Sequence, residues 1–197
     1  MKNNFKKFIV LLFITVNFNF TAAQQVITSS KENEPIEINA DNGIEWHKNE
    51  KKYVAIGNAK AISGGLSLES DKIEAFYDES ENSSMDIKKV IAKKNVIISD
   101  KKMMIKGGNF AEYDVKKDYF KVNGKNLILT SELNTLKSNN KMEYWRTKGV
   151  AIATGKAKAK KGEEFRIKAE KLVWYLNEGE GKIDVKKIFG FENVSII

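Results

Sequence analysis

From Pro35 to the end of the chain, apolar and polar positions alternate in short runs. Ile36, Ile38 and Ala40 form one such run, Leu66, Leu68 and Ser70 another, and Phe165, Ile167 and Ala169 a third. A period of two places alternate side chains on opposite faces and predicts half-buried β-strands. Turn residues separate the runs: Ser63-Gly64-Gly65, Gly107-Gly108, Asn123-Gly124, Asn139-Asn140, Lys161-Gly162 and Gly179-Glu180-Gly181. No segment carries a convincing helical period. The stretch 80–90, which opens on Ser-Glu-Asn-Ser-Ser, reads as a loop. The pattern predicts an all-β protein.

The pattern also repeats. When Gly57 is aligned with Gly155, Ala55, Ala59, Lys60, Ala61 and Gly64 meet Ala153, Ala157, Lys158, Ala159 and Gly162, all identical. After a one-residue shift, Leu66 to Ile73 faces Phe165 to Leu172. Weaker copies begin at Lys94-Asn95, Lys125-Asn126 and Glu192-Asn193. The key positions 58, 95, 126, 156 and 193 are thus spaced by 37, 31, 30 and 37 residues. A period of this size marks stacked supersecondary units, none of which can bury its apolar face alone. Within Ala153 to Lys160 the small residues share one face, while Lys156, Lys158 and Lys160 share the other. The aligned inner positions become Val96 and Ile98, Leu127 and Leu129, and Val194 and Ile196, which predicts one continuous apolar inner surface.

The first residues read differently. Lys2, Lys6 and Lys7 precede an apolar run from Phe8 to Phe20, and Thr21-Ala22-Ala23 offers small residues for cleavage. Residues 1–23 therefore read as an export signal; the apolar run is shorter than the roughly 20 residues of a spanning helix. Residues 24–34 are polar, lack periodicity, and read as a disordered lead-in to a domain over 35–197. The chain has no cysteine, so an exported domain would hold together by packing and strand pairing. The net charge of +8 is about +5 without the leader's three lysines, and only Arg146 and Arg166 are arginines, a poor complement for reading phosphate or nucleic acid.

Candidate chemistry is sparse. His47 is the single histidine and has no partner motif for nucleophilic catalysis, so it is expected to be an exposed bystander. No phosphate loop and no metal-ligand spacing is present, and no cofactor is expected. Asp41, Asp71, Asp114 and Glu170 recur with the repeat, which suits strand ends and turns better than paired acid–base chemistry.

The runs Ile36-x-Ile38-x-Ala40-Asp41, Gly57-Asn58-Ala59 and Leu66-x-Leu68-x-Ser70-Asp71-Lys72, in that order and repeated, resemble the OstA-like family of lipopolysaccharide-transport proteins. The likeness covers about 36–197 and is strongest over 36–77 and 150–176. It departs from the family pattern in the small Ala59 and Ala157 and in Lys156, where asparagine is usual. The resemblance implies a β-jellyroll of stacked V-shaped antiparallel strands with open end strands, located in the periplasm. It implies that lipopolysaccharide travels along the apolar interior. It also implies that the units join head to tail as homo-oligomers and dock to LptC-like and LptD-like jellyroll domains.

On that reading the lipid trough is lined by Ile36, Ile38, Ala59, Ala61, Leu66 and Leu68, then by Val96, Ile98, Tyr113, Leu127 and Leu129, and finally by Phe165 and Ile167. The association edges are Ile36, Ile38 and Ala40 at one end and Val194 and Ile196 at the other, where unpaired backbone would accept a neighbouring strand. Lys156, Lys158, Lys160 and Lys161 are expected on a solvated outer face. Two alternatives remain at this point: an LptC-like jellyroll held by an inner-membrane anchor, and a secreted carbohydrate-active β-solenoid enzyme.

Overall fold

The computed structural model describes residues 25–27, 36–79, 85–132, 134–162, 165–179 and 182–196. The expected export signal and most of the lead-in lie outside them. Among the described residues the chain forms β1 (Gln25–Ile27), β2 (Ile36–Asn39), β3 (Ile44–His47), β4 (Lys52–Ser63), β5 (Leu66–Glu79), β6 (Met85–Ser99), β7 (Met104–Asp114), β8 (Tyr119–Asn123), β9 (Leu127–Ser131), β10 (Asn134–Ser138), β11 (Lys141–Trp145), β12 (Val150–Lys161), β13 (Phe165–Gly179), β14 (Lys182–Phe191) and β15 (Ser195–Ile196). Two short 3-10 turns, Lys48–Glu50 and Arg146–Lys148, precede β4 and β12. Every pairing is antiparallel.

The long strands bend in the middle, and each half pairs within its own arm. The first half of β4 pairs with β3 and the second half with β2. In the same way β7 pairs with β8 along one half and β9 along the other, and β12 pairs with β11 and β10. The V-shaped strands therefore stack into two arms. The first arm contains β3, β8, β11 and β14 with the adjoining halves of the long strands; the second contains β1, β2, β9, β10 and β15 with the other halves.

The repeated sequence motif is the bend. Asn58, Lys94, Asn95, Asn126, Lys156, Glu192 and Asn193 all have positive φ, as do Gly57, Gly107 and Gly155. Asn tolerates this left-handed region better than most residues, and Gly adopts it freely. In β4, Ala55 and Ala59 are buried while the three residues between them face out; β12 does the same between Ala153 and Ala157. Their neighbours cross the bend with two outward residues, Asp71-Lys72 between Ser70 and Ile73, and Glu170-Lys171 between Ala169 and Leu172. The register accordingly shifts by one residue between Ile56 and Ala59 and between Thr154 and Ala157. A bulge of this kind bends a strand without ending its ladder.

Of the six expected turns two close hairpins and three are bends, while Glu180 and Gly181 of the sixth lie outside the described residues. Gly64-Gly65 and Lys161-Gly162 close hairpins, whereas Gly107-Gly108, Asn123-Gly124 and Asn139-Asn140 are bends. The stretch 80–90 is not a loop throughout: residues 85–90 open β6, with Ile87 and Val90 buried against β5. The other residues of that stretch, 80–84, lie outside the described ones. Within the expected lead-in, Gln25–Ile27 pairs with β2.

Candidate functional site

The inner faces of the two arms form one apolar cluster that extends from Ile36 to Leu176. Twelve of the thirteen residues expected to line a trough are buried in it, and Phe165 packs against it partly buried beside the β12–β13 hairpin. All except Tyr113 belong to the second arm. The first arm supplies the other wall, through Ile73, Ala75 and Tyr77 on β5, Val90 and Ala92 on β6, Phe120 and Val122 on β8, and Leu172 and Trp174 on β13. These residues were missed because the alternation was not followed past each bend. Ile73-x-Ala75-x-Tyr77 carries the same period as Leu66-x-Leu68 and could have been found from it.

The two walls meet at an apolar crevice. Ile36, Ala61, Leu66 and Leu68 of the second arm face Val90 and Tyr113 of the first, with Ile62 and Ser63 at the rim. Its volume is about 10 Å³, room for no more than one water. The interior is thus closed by side-chain packing. Tyr113 stacks on Phe120 with ring centroids 4.2 Å apart. Its hydroxyl donates to Asp118 Oδ1 at 3.0 Å, the same oxygen that Arg146 Nη1 approaches at 3.3 Å. Burial, then the charge of Asp118, hold its phenol well above the ordinary tyrosine range. Nearby, Tyr53 donates to Met85 Sδ at 2.9 Å and Trp46 Nε1 donates to Tyr77 Oη at 2.8 Å.

The recurring acids work at bends and turns. Asn58 Nδ2 donates to Asp41 Oδ2 at 2.8 Å, and Asn95 Nδ2 donates to Asp71 Oδ1 at 2.9 Å. Glu170 Oε2 accepts from the Lys156 backbone N–H at 3.3 Å. Asp114 caps the turn after β7, accepting from Lys117 N at 3.0 Å and Lys117 Nζ at 2.6 Å. Asn58, Asn95 and Lys156 thus each bond a carboxylate of a neighbouring segment, which ties these segments along the outer corner.

His47 is half-exposed at the end of β3. Its ring nitrogens lie 2.7 Å from Glu45 and 3.3 Å from Glu50, and the hydrogen bond to Glu45 is the main cause that raises its pKa. Glu74 is 8% exposed and meets Lys93 Nζ at 2.8 Å and Lys72 Nζ at 3.2 Å. Lys156 and Lys158 are exposed on the outer face, and Lys160 and Lys161 are half-buried there. Among the described residues no group of three or more His, Cys, Asp or Glu lies close enough to hold a metal ion.

The two ends of the stack differ. The terminal strand of the second arm is β1, so Ile36, Ile38 and Ala40 lie one strand in from the edge. At the opposite end β14 and β15 pair with β13 alone. That end exposes Phe191, Val194 and Ile196, the last at 68%, with Lys171 Nζ 5.5 Å from the centre of the Phe191 ring.

Among solved structures, the chain is similar to LptH, described as the LptA homologous periplasmic component of the conserved lipopolysaccharide transport device from Pseudomonas aeruginosa. The identity is 12%, the match covers 83% of this chain and 94% of that one, and the TM-score is 0.33. No curated protein matches. The family model described as LptA/(LptD N-terminal domain) LPS transport protein matches residues 37–147, more than half of the sequence. The chain belongs to this family of lipopolysaccharide-transport proteins.

Proposed function

We propose that this chain is a periplasmic bridge protein that binds lipopolysaccharide and carries it from the inner to the outer membrane along the interior between its two arms. The observation that supports the reading is the single apolar cluster shared by both arms, which reaches from the β2 end to β13. Acyl chains gain about 0.8 kcal/mol for each methylene taken from water.

The bare β14–β15 end, with exposed Val194 and Ile196, supports docking to a second copy or to LptC-like and LptD-like jellyroll domains by strand addition. The export signal read in residues 1–23 supports the periplasm. The chain is not an enzyme: its family is one of transport proteins. Asp71 and Glu170 are also held at bends and Asp114 at a turn.

Photo-crosslinkers at Leu68 and Leu129 test the transport reading. Both should capture labelled lipopolysaccharide, and a folded protein that captures it at neither position refutes the proposal. The LptC-like alternative is separated by the mature N-terminus: cleavage after Ala23 supports the bridge, and a retained leader supports the anchored form. Size-exclusion across a concentration range tests association; a chain that stays monomeric and ignores a jellyroll partner removes the docking part.

A further inference from the structure

We propose that Trp174 is a hydrogen-bond donor built into the interior for the carried lipid, and that it recognises an acceptor oxygen on or beside an acyl chain, in an ester, an amide or a chain hydroxyl. This rests on the reading of the interior as a lipid carrier. Trp174 lies on the first-arm half of β13, 1% exposed, paired with Ala151 of β12 and Ile188 of β14. Its Nε1–H is buried and has no hydrogen-bond partner among the described residues. An indole nitrogen can only donate, so no change of tautomer relieves it.

Buried polar groups in native proteins are nearly always paired, and an exception calls for a cause. The other polar atoms of interior aromatics described above have partners: Tyr53 bonds Met85, Tyr77 accepts from Trp46, and Tyr113 bonds Asp118. Trp174 stands apart from them. Beside Trp174 the side chains are Ala151 and Ile188 across the ladder and Leu172 and Leu176 along β13, with Tyr144 one strand further, beyond Ala151. None of the four adjoining side chains has a polar atom to share a water, which requires two or more polar partners. A ligand that brings its own acceptor meets the need. Ala151 and Ala153 on the first arm and Ala157, Ala159 and Ala169 on the second keep side chains short along β12 and β13, so a ligand that enters there displaces little side-chain bulk. A pure hydrocarbon would enter in the same way and leave the donor unmet, so the tryptophan favours chains attached through a carbonyl or bearing a hydroxyl.

The test removes the donor and keeps the shape. Trp174 is replaced with benzothienylalanine, in which sulfur takes the place of N–H, and separately by Trp174→Phe. Affinity is measured for lipopolysaccharide and for diphenylhexatriene, a hydrocarbon with no acceptor. Lipopolysaccharide binding should weaken about three- to tenfold in both variants, with hydrocarbon binding unchanged in the benzothienyl protein. The ligand-free benzothienyl protein should melt no lower than the native chain, because an unpaired donor has been removed. In a chain carrying Trp46→Phe and Trp145→Phe, the indole N–H Raman band should move when lipopolysaccharide binds. Unchanged lipopolysaccharide affinity, equal losses for both probes, or a stationary Raman band overturns the inference. If the native protein binds no lipopolysaccharide, the transport reading fails and this inference with it; if it binds and the variants bind equally well, only the role of Trp174 fails.

Discussion

Replacing Gly107 by alanine should destabilise the fold far more than replacing Gly65, although both glycines have similar backbone angles. Gly107 has φ +86° and Gly65 φ +78°, so each substitution puts an L-residue in a region that costs roughly 1–2 kcal/mol. The restriction of the unfolded chain returns about 0.4–1 kcal/mol in both cases. The surroundings differ. A Cβ on Gly65 finds only Lys101 Cε, at 4.0 Å. A Cβ on Gly107 would lie 2.6 Å from the backbone oxygen of Asn126 and 3.2 Å from its carbonyl carbon. These backbone atoms belong to the neighbouring bend, and they can retreat only by pushing β9 away from β7.

Overpacking of this kind costs about 1–3 kcal/mol. Gly65→Ala should therefore lose about 1 kcal/mol and Gly107→Ala about 2–4 kcal/mol. At about 2–4 °C per kcal/mol for a chain of this size, the two melting temperatures should separate by several degrees. Urea unfolding with equal m-values measures the difference directly. Equal losses for the two variants would refute the claim that close contact between bends, rather than backbone angle alone, fixes the glycine.

Asn58→Ala removes both the bond to Asp41 and a residue suited to φ +42°, and should cost about 1–2 kcal/mol in urea unfolding. Asn58→Gly, which keeps the backbone at ease, should cost less; an equal loss would show that the bend angle does not matter. Burial raises the pKa of Glu74, but the hydrogen bonds to Lys93 and Lys72 outweigh it and leave the carboxyl below the ordinary glutamate range. Its ion pairs therefore stabilise fully above the unfolded-state value and are lost as pH falls through the lower folded value. Glu74→Gln should cost about 1–2 kcal/mol at neutral pH and progressively less as pH falls below the ordinary glutamate pKa, as read from unfolding midpoints against pH. The His47 pKa, raised by Glu45, should titrate above 6.5 by NMR and fall in Glu45→Gln. Its small contribution is present below the ordinary histidine pKa and vanishes as pH rises through the raised one.

The sequence carried the wall well and the bend poorly, for a physical reason. Alternation is a property of straight strand, so Leu66 and Leu68 fall on the inner face by period, and Val96 and Ile98 by alignment of the repeat; all four are buried. Where two consecutive outward residues cross the bend, as Asp71-Lys72 and Glu170-Lys171 do, the parity is reset, and counting by twos from the second arm loses the first. That is how Ile73, Tyr77, Phe120 and Trp174 escaped while their partners across the bend were found. The repeated Gly-Asn was visible but read as strand, because positive φ leaves no mark on hydropathy. The acids were read correctly as strand-end and turn residues, since Asp41 and Asp71 recur in step with the asparagines they accept from. The pairing of β1 with β2 had no such signal, because Gln25–Ile27 is too short to show a period.

The packed interior and the proposed cargo are reconciled by the topology. A crevice of about 10 Å³ holds no acyl chain, so a lipid can enter only if the arms part. Along the outer corner they are joined by continuous backbone through every long strand, reinforced by the Asp41–Asn58 and Asp71–Asn95 bonds. Across the interior they share no ladder: each pairing described here lies within one arm, as with β4 and β5, which pair half by half on either side of the bend. Opening at the hairpin tips therefore separates apolar side chains and breaks no backbone hydrogen bond, and an entering acyl chain restores the lost apolar contact. The crevice between Leu66 and Leu68 on one arm and Val90 and Tyr113 on the other already lies where such an opening would start. The glycines and asparagines of the corner then have two tasks, to turn each strand and to leave the bend as the hinge about which the walls separate.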